Sequence, residues 1–166
     1  MRGCVAAIVP ALFFFWHPPI AAQDCDSLDR VRENARSNFS KIIGAKLEND
    51  GEYLSSLTLP NAHRCTIEIY SRTEAKYSCE WVVAKERRAE AAVRGIFDDF
   101  VNDLAQCALG KNDLVREKRK NGRGELAYFP DARYPRGDVR AFLRVEYDYS
   151  SPWWLMEMVY YVGGEK

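Results

Sequence analysis

The chain has 166 residues, with 24 Lys plus Arg balanced by 24 Asp plus Glu, 47% hydrophobic residues and 13% aromatics. This is enough for one globular core and too little for two, and it excludes a disordered chain. Zero formal net charge excludes a nucleic-acid binder driven by bulk electrostatics. No phosphate-binding glycine loop, dinucleotide fingerprint or zinc-type Cys/His spacing occurs, so no cofactor and no metal are expected.

Met1-Arg2 gives a positive start, Cys4 to Trp16 an apolar run, and Ile20-Ala21-Ala22 small residues before the polar Gln23-Asp24. This is the layout of a cleaved secretory signal over residues 1–22. The run is shorter than the roughly 20 residues of a membrane span. Cleavage after Ala22 leaves 166 − 22 = 144 residues, with a net charge of 23 − 24 = −1, one histidine (His63) and four cysteines: Cys25, Cys65, Cys79 and Cys107. An even cysteine count in an exported chain reads as two disulfides. The localisation expected is periplasmic or extracellular, with no transmembrane anchor in the mature chain.

Residues 23–166 read as a single domain. Asp26-Ser27 can cap a helix, and Leu28, Val31, Ala35, Phe39, Ile42 and Ile43 then recur at helical spacing, predicting helix one over 27–47. The glycosylation-type triplet Asn38-Phe39-Ser40 falls inside that helix and is given no weight. Asn49-Asp50-Gly51 marks a turn. Strands are predicted over 53–59, 65–70 and 76–83, the last two forming a hairpin. Ala89, Ala92, Val93, Ile96, Phe97, Phe100, Val101, Leu104 and Ala108 form one apolar stripe, predicting helix two over 85–108. Residues 111–124 read as a basic loop: Lys111, Arg116, Lys118, Arg119, Lys120 and Arg123 against Asp113 and Glu117 give 6 − 2 = +4. A short strand is predicted over 126–129, and two long antiparallel strands over 139–149 and 153–162.

The fold class is therefore α+β, two amphipathic helices packed on a largely antiparallel sheet in the order α-β-β-β-α-β-β-β. That order resembles the topology of cytoplasmic type III secretion chaperones; the resemblance implies only a layout of helices over a sheet, and the export signal separates this chain from their role. Laying the elements end to end favours Cys25–Cys65 and Cys79–Cys107 as the disulfides. The rival pairing is Cys65–Cys79 with Cys25–Cys107. Each favoured bridge would stabilise by roughly 3–4 kcal/mol.

Signals for chemistry are sparse. His63 sits in a turn without a local partner of recognised spacing. Asp99 and Asp103 share a helix face with Asp98 beside them, as a solvated face would. The terminal hairpin stands out for its bulky residues on both faces. Phe142 between Arg140 and Arg144, together with Trp154, Tyr160 and Tyr161, are candidate binding residues, since aromatics and arginine dominate recognition surfaces; the alternative is a second small core, with the loop around Tyr134 folded over that face. Lys118, Arg119 and Lys120 are added as contacts for an acidic partner or cell-envelope polymer. The function expected is an exported non-catalytic binding protein, of inhibitor or immunity type, whose partner is another exported or envelope protein. Its alternatives are a carrier of a small apolar ligand or lipid, and a cryptic hydrolase using His63 or the helix-two acids.

Overall fold

The structure is a computed structural model that describes residues 25–107, 115–118, 124–130, 140–150 and 153–163. The predicted signal segment lies outside the described residues. Eight antiparallel strands form one sheet, with two α-helices. In chain order these are α1 (Cys25–Ala35), β1 (Ile43–Lys46), β2 (Glu52–Ser55), β3 (Arg64–Ile69), β4 (Ala75–Ala84), α2 (Glu90–Gln106), β5 (Val115–Lys118), β6 (Gly124–Pro130), β7 (Arg140–Ser150) and β8 (Trp153–Gly163). The spatial order is β1-β2-β3-β4-β8-β7-β6-β5. Two four-stranded meanders thus meet where β8 pairs with β4 along Ala75–Ala84.

Helix one is half its predicted length. The N–H of Phe39 donates to the Asn34 carbonyl (2.8 Å) and that of Asn38 to Ala35 (3.0 Å). This paired closure ends a helix when the residue after its cap turns left-handed. Asn38 does so, at φ 50°, and its amide donates to the Arg72 carbonyl. The triplet Asn38-Phe39-Ser40 therefore lies in a turn, not on a helix. Phe39 is fully buried as expected, but from a left-handed residue (φ 59°) against Tyr77 and Tyr160. Ile42 and Ile43 leave the helical pattern for a short 3₁₀ turn and β1, where β-branched side chains fit better. The Asn49-Asp50-Gly51 turn holds: Gly51 takes φ 80°, and an added Cβ would lie 2.9 Å from the Ile69 carbonyl oxygen and collide with it.

Strand two is also shorter than predicted, because Leu57 and Leu59 drop into the core from a loop. Tyr77 Oη donates to the Leu57 carbonyl (3.0 Å) and Trp81 Nε1 to that of Pro60 (3.1 Å), which pins the loop. The basic segment contains β5, a wholly exposed edge strand, so it is not a loop throughout. Short, charged edge strands resist unwanted pairing. Two further strands, β1 and β5, thus separate the observed order from the predicted one.

The core lies between one sheet face and the helices. Residues two apart share a sheet face. Tyr77, Cys79, Trp81 and Val83 of β4, Met156, Met158 and Tyr160 of β8, and Leu143, Val145 and Tyr147 of β7 are all buried on it. The α2 residues Phe97 and Phe100 stack edge-on against Tyr147 (5.0 Å) and Trp81 (5.3 Å). α2 buries Val93, Phe97, Phe100, Val101 and Leu104, while Ala92 of the predicted stripe is exposed.

The favoured disulfide pairing is wrong. The bonds are Cys25–Cys107 and Cys65–Cys79, with Cα separations of 5.2 and 4.1 Å. In the β3–β4 hairpin, Arg64 faces Glu80 and Ile69 faces Ala75, so Cys65 falls directly opposite Cys79. The additional strand β1 adds one chain reversal between Cys25 and Cys65, which undoes the end-to-end placement that paired them. Arg32, buried on α1, reinforces the first bridge. It donates to Asp29 (2.7 Å) and to the Cys107 carbonyl (3.4 Å), a cation at the C-terminus of α2.

Candidate functional site

Among the described residues, both helices pack on one sheet face; the loop around Tyr134, the alternative cover for the other face, lies outside the described residues. Of the residues on the other face, Tyr128 (β6), Phe142 (β7) and Tyr161 (β8) form a ring ladder. Phe142 stacks on Tyr161 at 4.9 Å with an interplanar angle of 27°, and meets Tyr128 at 5.0 Å with the rings tilted by 43°. The cross-strand pairing Phe142 with Tyr161 places the two rings side by side. All three are half-buried. The Tyr161 hydroxyl donates to Glu74. Burial and that hydrogen bond push its pKa up to about 12.

Four residues along the strands lies a different row. Glu80 faces Glu157 and Glu157 faces Glu146, so three glutamates on β4, β8 and β7 stand in direct register. Neighbouring strands are about 4.8 Å apart, so the row spans roughly 10 Å. Arg64 pairs with Glu80 (3.5 Å) and Arg144 with Glu146 (3.7 Å). No hydrogen bond or ion pair joins the central Glu157 to another described residue. Burial pushes its pKa above the ordinary glutamate value; Lys76 and Arg144 pull it back, Glu146 and Glu80 add to the rise. Glu80, Glu146, Asp148, Ser150, Leu155 and Glu157 line a depression of about 170 Å³ over this row. Between the row and the ladder sit Thr66 and Ser78, whose buried hydroxyls share a hydrogen bond (3.1 Å), and Val159. At the far edge, burial raises the Glu68 pKa, but hydrogen bonds from Lys76 and Tyr70 outweigh it and hold the carboxyl below its usual value.

Of the residues chosen from sequence, Phe142, Arg144 and Tyr161 come together on this open face. Arg140 pairs with Gly163 at the start of β7. Trp154 and Tyr160 do not belong to the surface: they are 2% and 0% exposed and face the helices. Trp154 Nε1 donates to the Glu86 carbonyl (3.0 Å). Strand alternation separates Tyr160 from its neighbour Tyr161, so the two never share a face. Lys118 is exposed on β5, at the sheet edge. Arg119 and Lys120 lie outside the described residues, as do Ala108, Lys111, Asp113 and Arg123. Arg116 is used internally: it pairs with Asp98 and with Glu125 (3.0 Å), and lies over the Phe97 ring at 5.3 Å.

Tyr128 and the three glutamates escaped sequence reasoning. Glu80, Glu146 and Glu157 are far apart in the chain, and nothing local reveals that β8 inserts between β4 and β7. His63 is exposed in its turn. Among the described residues no group of three or more His, Cys, Asp or Glu is arranged to hold a metal ion, and no helix is long and apolar enough to cross a membrane. A separate apolar groove of about 640 Å³ runs between the end of β4 and the first turns of α2, walled by Val82, Val83, Ala89, Ala92, Val93 and Ile96.

Comparison with protein-family models, with curated proteins and with solved structures finds no match to this chain.

Proposed function

We propose that the protein is an exported, non-catalytic binding protein of inhibitor or immunity type, which captures another exported or envelope protein through the open face of its sheet. The observation that carries this reading is the Tyr128–Phe142–Tyr161 ladder, half-buried rings held on three adjacent strands of a disulfide-bonded sheet. Rings fixed on regular strands lose little conformational freedom on binding, and such aromatics dominate interface energetics. Two disulfides fit an oxidising compartment.

The test uses the mature, oxidised protein immobilised against its own exported and envelope fraction. A stoichiometric partner is expected. Replacing Phe142 and Tyr161 with alanine is expected to weaken capture by about thirtyfold or more, the loss of one hot spot. Undiminished capture by that folded double variant refutes the surface.

The groove beside α2 favours a second reading, a carrier of a small apolar ligand. Its volume of about 640 Å³ lies in the range of ligand sites, and its walls are mostly apolar, with Lys85 and Glu86 as the charged members. Solvent extraction and mass spectrometry of the purified protein decide this. A blank extract, with no rise in melting temperature on adding lipid, removes the carrier.

A further inference from the structure

The partner's chemistry can be taken further, on the reading that the open face is the capture surface. We propose that this face docks an extended, arginine-bearing segment of the partner protein, with guanidinium groups over the Glu80–Glu157–Glu146 row and apolar side chains on the ring ladder.

Charge complementarity selects this occupant. By strand pairing and alternation the face carries Glu52, Glu68, Glu80, Glu117, Glu146, Asp148 and Glu157 against Arg64, Lys76, Arg140 and Arg144, a formal balance of 4 − 7 = −3. The excess is concentrated in the glutamate row. Like charges directly opposite one another on a sheet are destabilising. The two flanking arginines reach the outer glutamates and leave the middle one without an ion pair among the described residues. A guanidinium from outside would supply what the row lacks. Its planar fork matches carboxylates on adjacent strands and offers more donors than an ammonium. The depression above the row, about 170 Å³, holds roughly six water volumes, the scale of one guanidinium with its first methylenes. Leu155 gives that depression an apolar wall for the methylenes. The adjoining rings are suited both to apolar side chains and to stacked guanidinium groups. An acidic segment or an anionic polymer meets repulsion on the same face.

Isothermal titration of the mature, oxidised protein tests this with three end-capped hexapeptides: alternating Arg-Leu, its neutral citrulline-Leu counterpart, and Glu-Leu. The Arg-Leu peptide is expected to bind saturably and roughly tenfold or more tightly than the citrulline peptide, with no binding of Glu-Leu. Glu157→Gln and Glu146→Gln are expected to weaken Arg-Leu binding by roughly tenfold, and Glu90→Gln, exposed at the start of α2, to leave it unchanged. Glu157→Gln relieves repulsion, so its folding is not at risk, and its melting temperature checks this. Equal affinity for the arginine and citrulline peptides, no saturable binding, or indifference to both glutamine variants overturns the inference. The two proposals fail separately. A natural partner lost with Phe142 and Tyr161 but untouched by Glu157→Gln keeps the capture surface and removes the arginine.

Discussion

Removing the two disulfides one at a time tests the topology and its energetics together. The Cys25–Cys107 bridge closes a loop of 82 residues and Cys65–Cys79 a loop of 14. If each bond acts by restricting the unfolded chain, their contributions are about 4.5 and 3.0 kcal/mol, a difference of about 1.6 kcal/mol. Cys65 and Cys79 are 4% and 0% exposed, so alanine there would add a packing loss to the entropic one. The comparison therefore uses Cys65→Val with Cys79→Val, which keeps a cross-strand apolar pair, and Cys25→Ala with Cys107→Ala. Urea unfolding of both double variants and the parent gives the free energies. Extrapolated values are compared, not midpoints, because opening a loop expands the unfolded state and raises the slope. The long-loop variant is expected to lose more. A hairpin variant that loses as much or more would refute the entropic account. A tryptic digest of the oxidised protein checks the connectivity itself. The peptide spanning 65–72 should be joined to 77–85, and the peptide ending at Arg30 to 95–111. A link between Cys25 and Cys65 would refute the topology.

Two further outcomes follow from buried charge. Burial raises the Glu157 pKa, so between the ordinary glutamate value and the raised one the folded protein keeps a proton that the unfolded chain has lost. Stability therefore falls as pH rises through that window, and the full penalty remains at neutral pH. Glu157→Gln is expected to stabilise by about 0.5–1 kcal/mol at pH 7, a rise of a few degrees in melting temperature, and by nothing below the ordinary glutamate value. Calorimetry that found equal gains at both pH values would sink this reasoning. Arg32→Met keeps most of the buried volume but removes the donor to the Cys107 carbonyl. It should lose about 2 kcal/mol, the scale of a buried hydrogen bond to a charged group, while exposed Asp29 is rehydrated. A change within about 0.5 kcal/mol, typical of surface substitutions, would show that the α1–α2 junction rests on the disulfide alone.

How much was legible depended on whether the signal was local. Helix two announced itself because its apolar stripe repeats at helical spacing, and Val93, Phe97, Phe100 and Leu104 are buried along it. Alternation located β3, β4, β7 and β8 to within a residue or two. Helix one was overextended because Phe39 and Ile42 fit the helical period while being buried from a turn. The stop signal, Asn38 in a left-handed conformation, is one residue whose type permits that state without requiring it. Strand β5 was hidden because Val115-Arg116-Glu117-Lys118 is exposed throughout and so carries no buried alternation.

The sequence by itself determined the buried stripe of helix two, the two-helix and antiparallel-strand character, and Cys25, Cys65, Cys79 and Cys107 as the members of two disulfides. Each follows from periodicity or composition, which are properties of neighbouring residues. Only the tertiary structure decided the pairing of those cysteines and the makeup of the open face. The β3–β4 register puts Cys65 against Cys79, and the insertion of β8 between β4 and β7 brings Glu80, Glu157 and Glu146 into one row. Register and strand order are set by contacts between segments distant in the chain. A single-residue change in register would send Glu157 into the core and Met156 or Met158 out to the open face, because alternate residues of a strand face opposite ways.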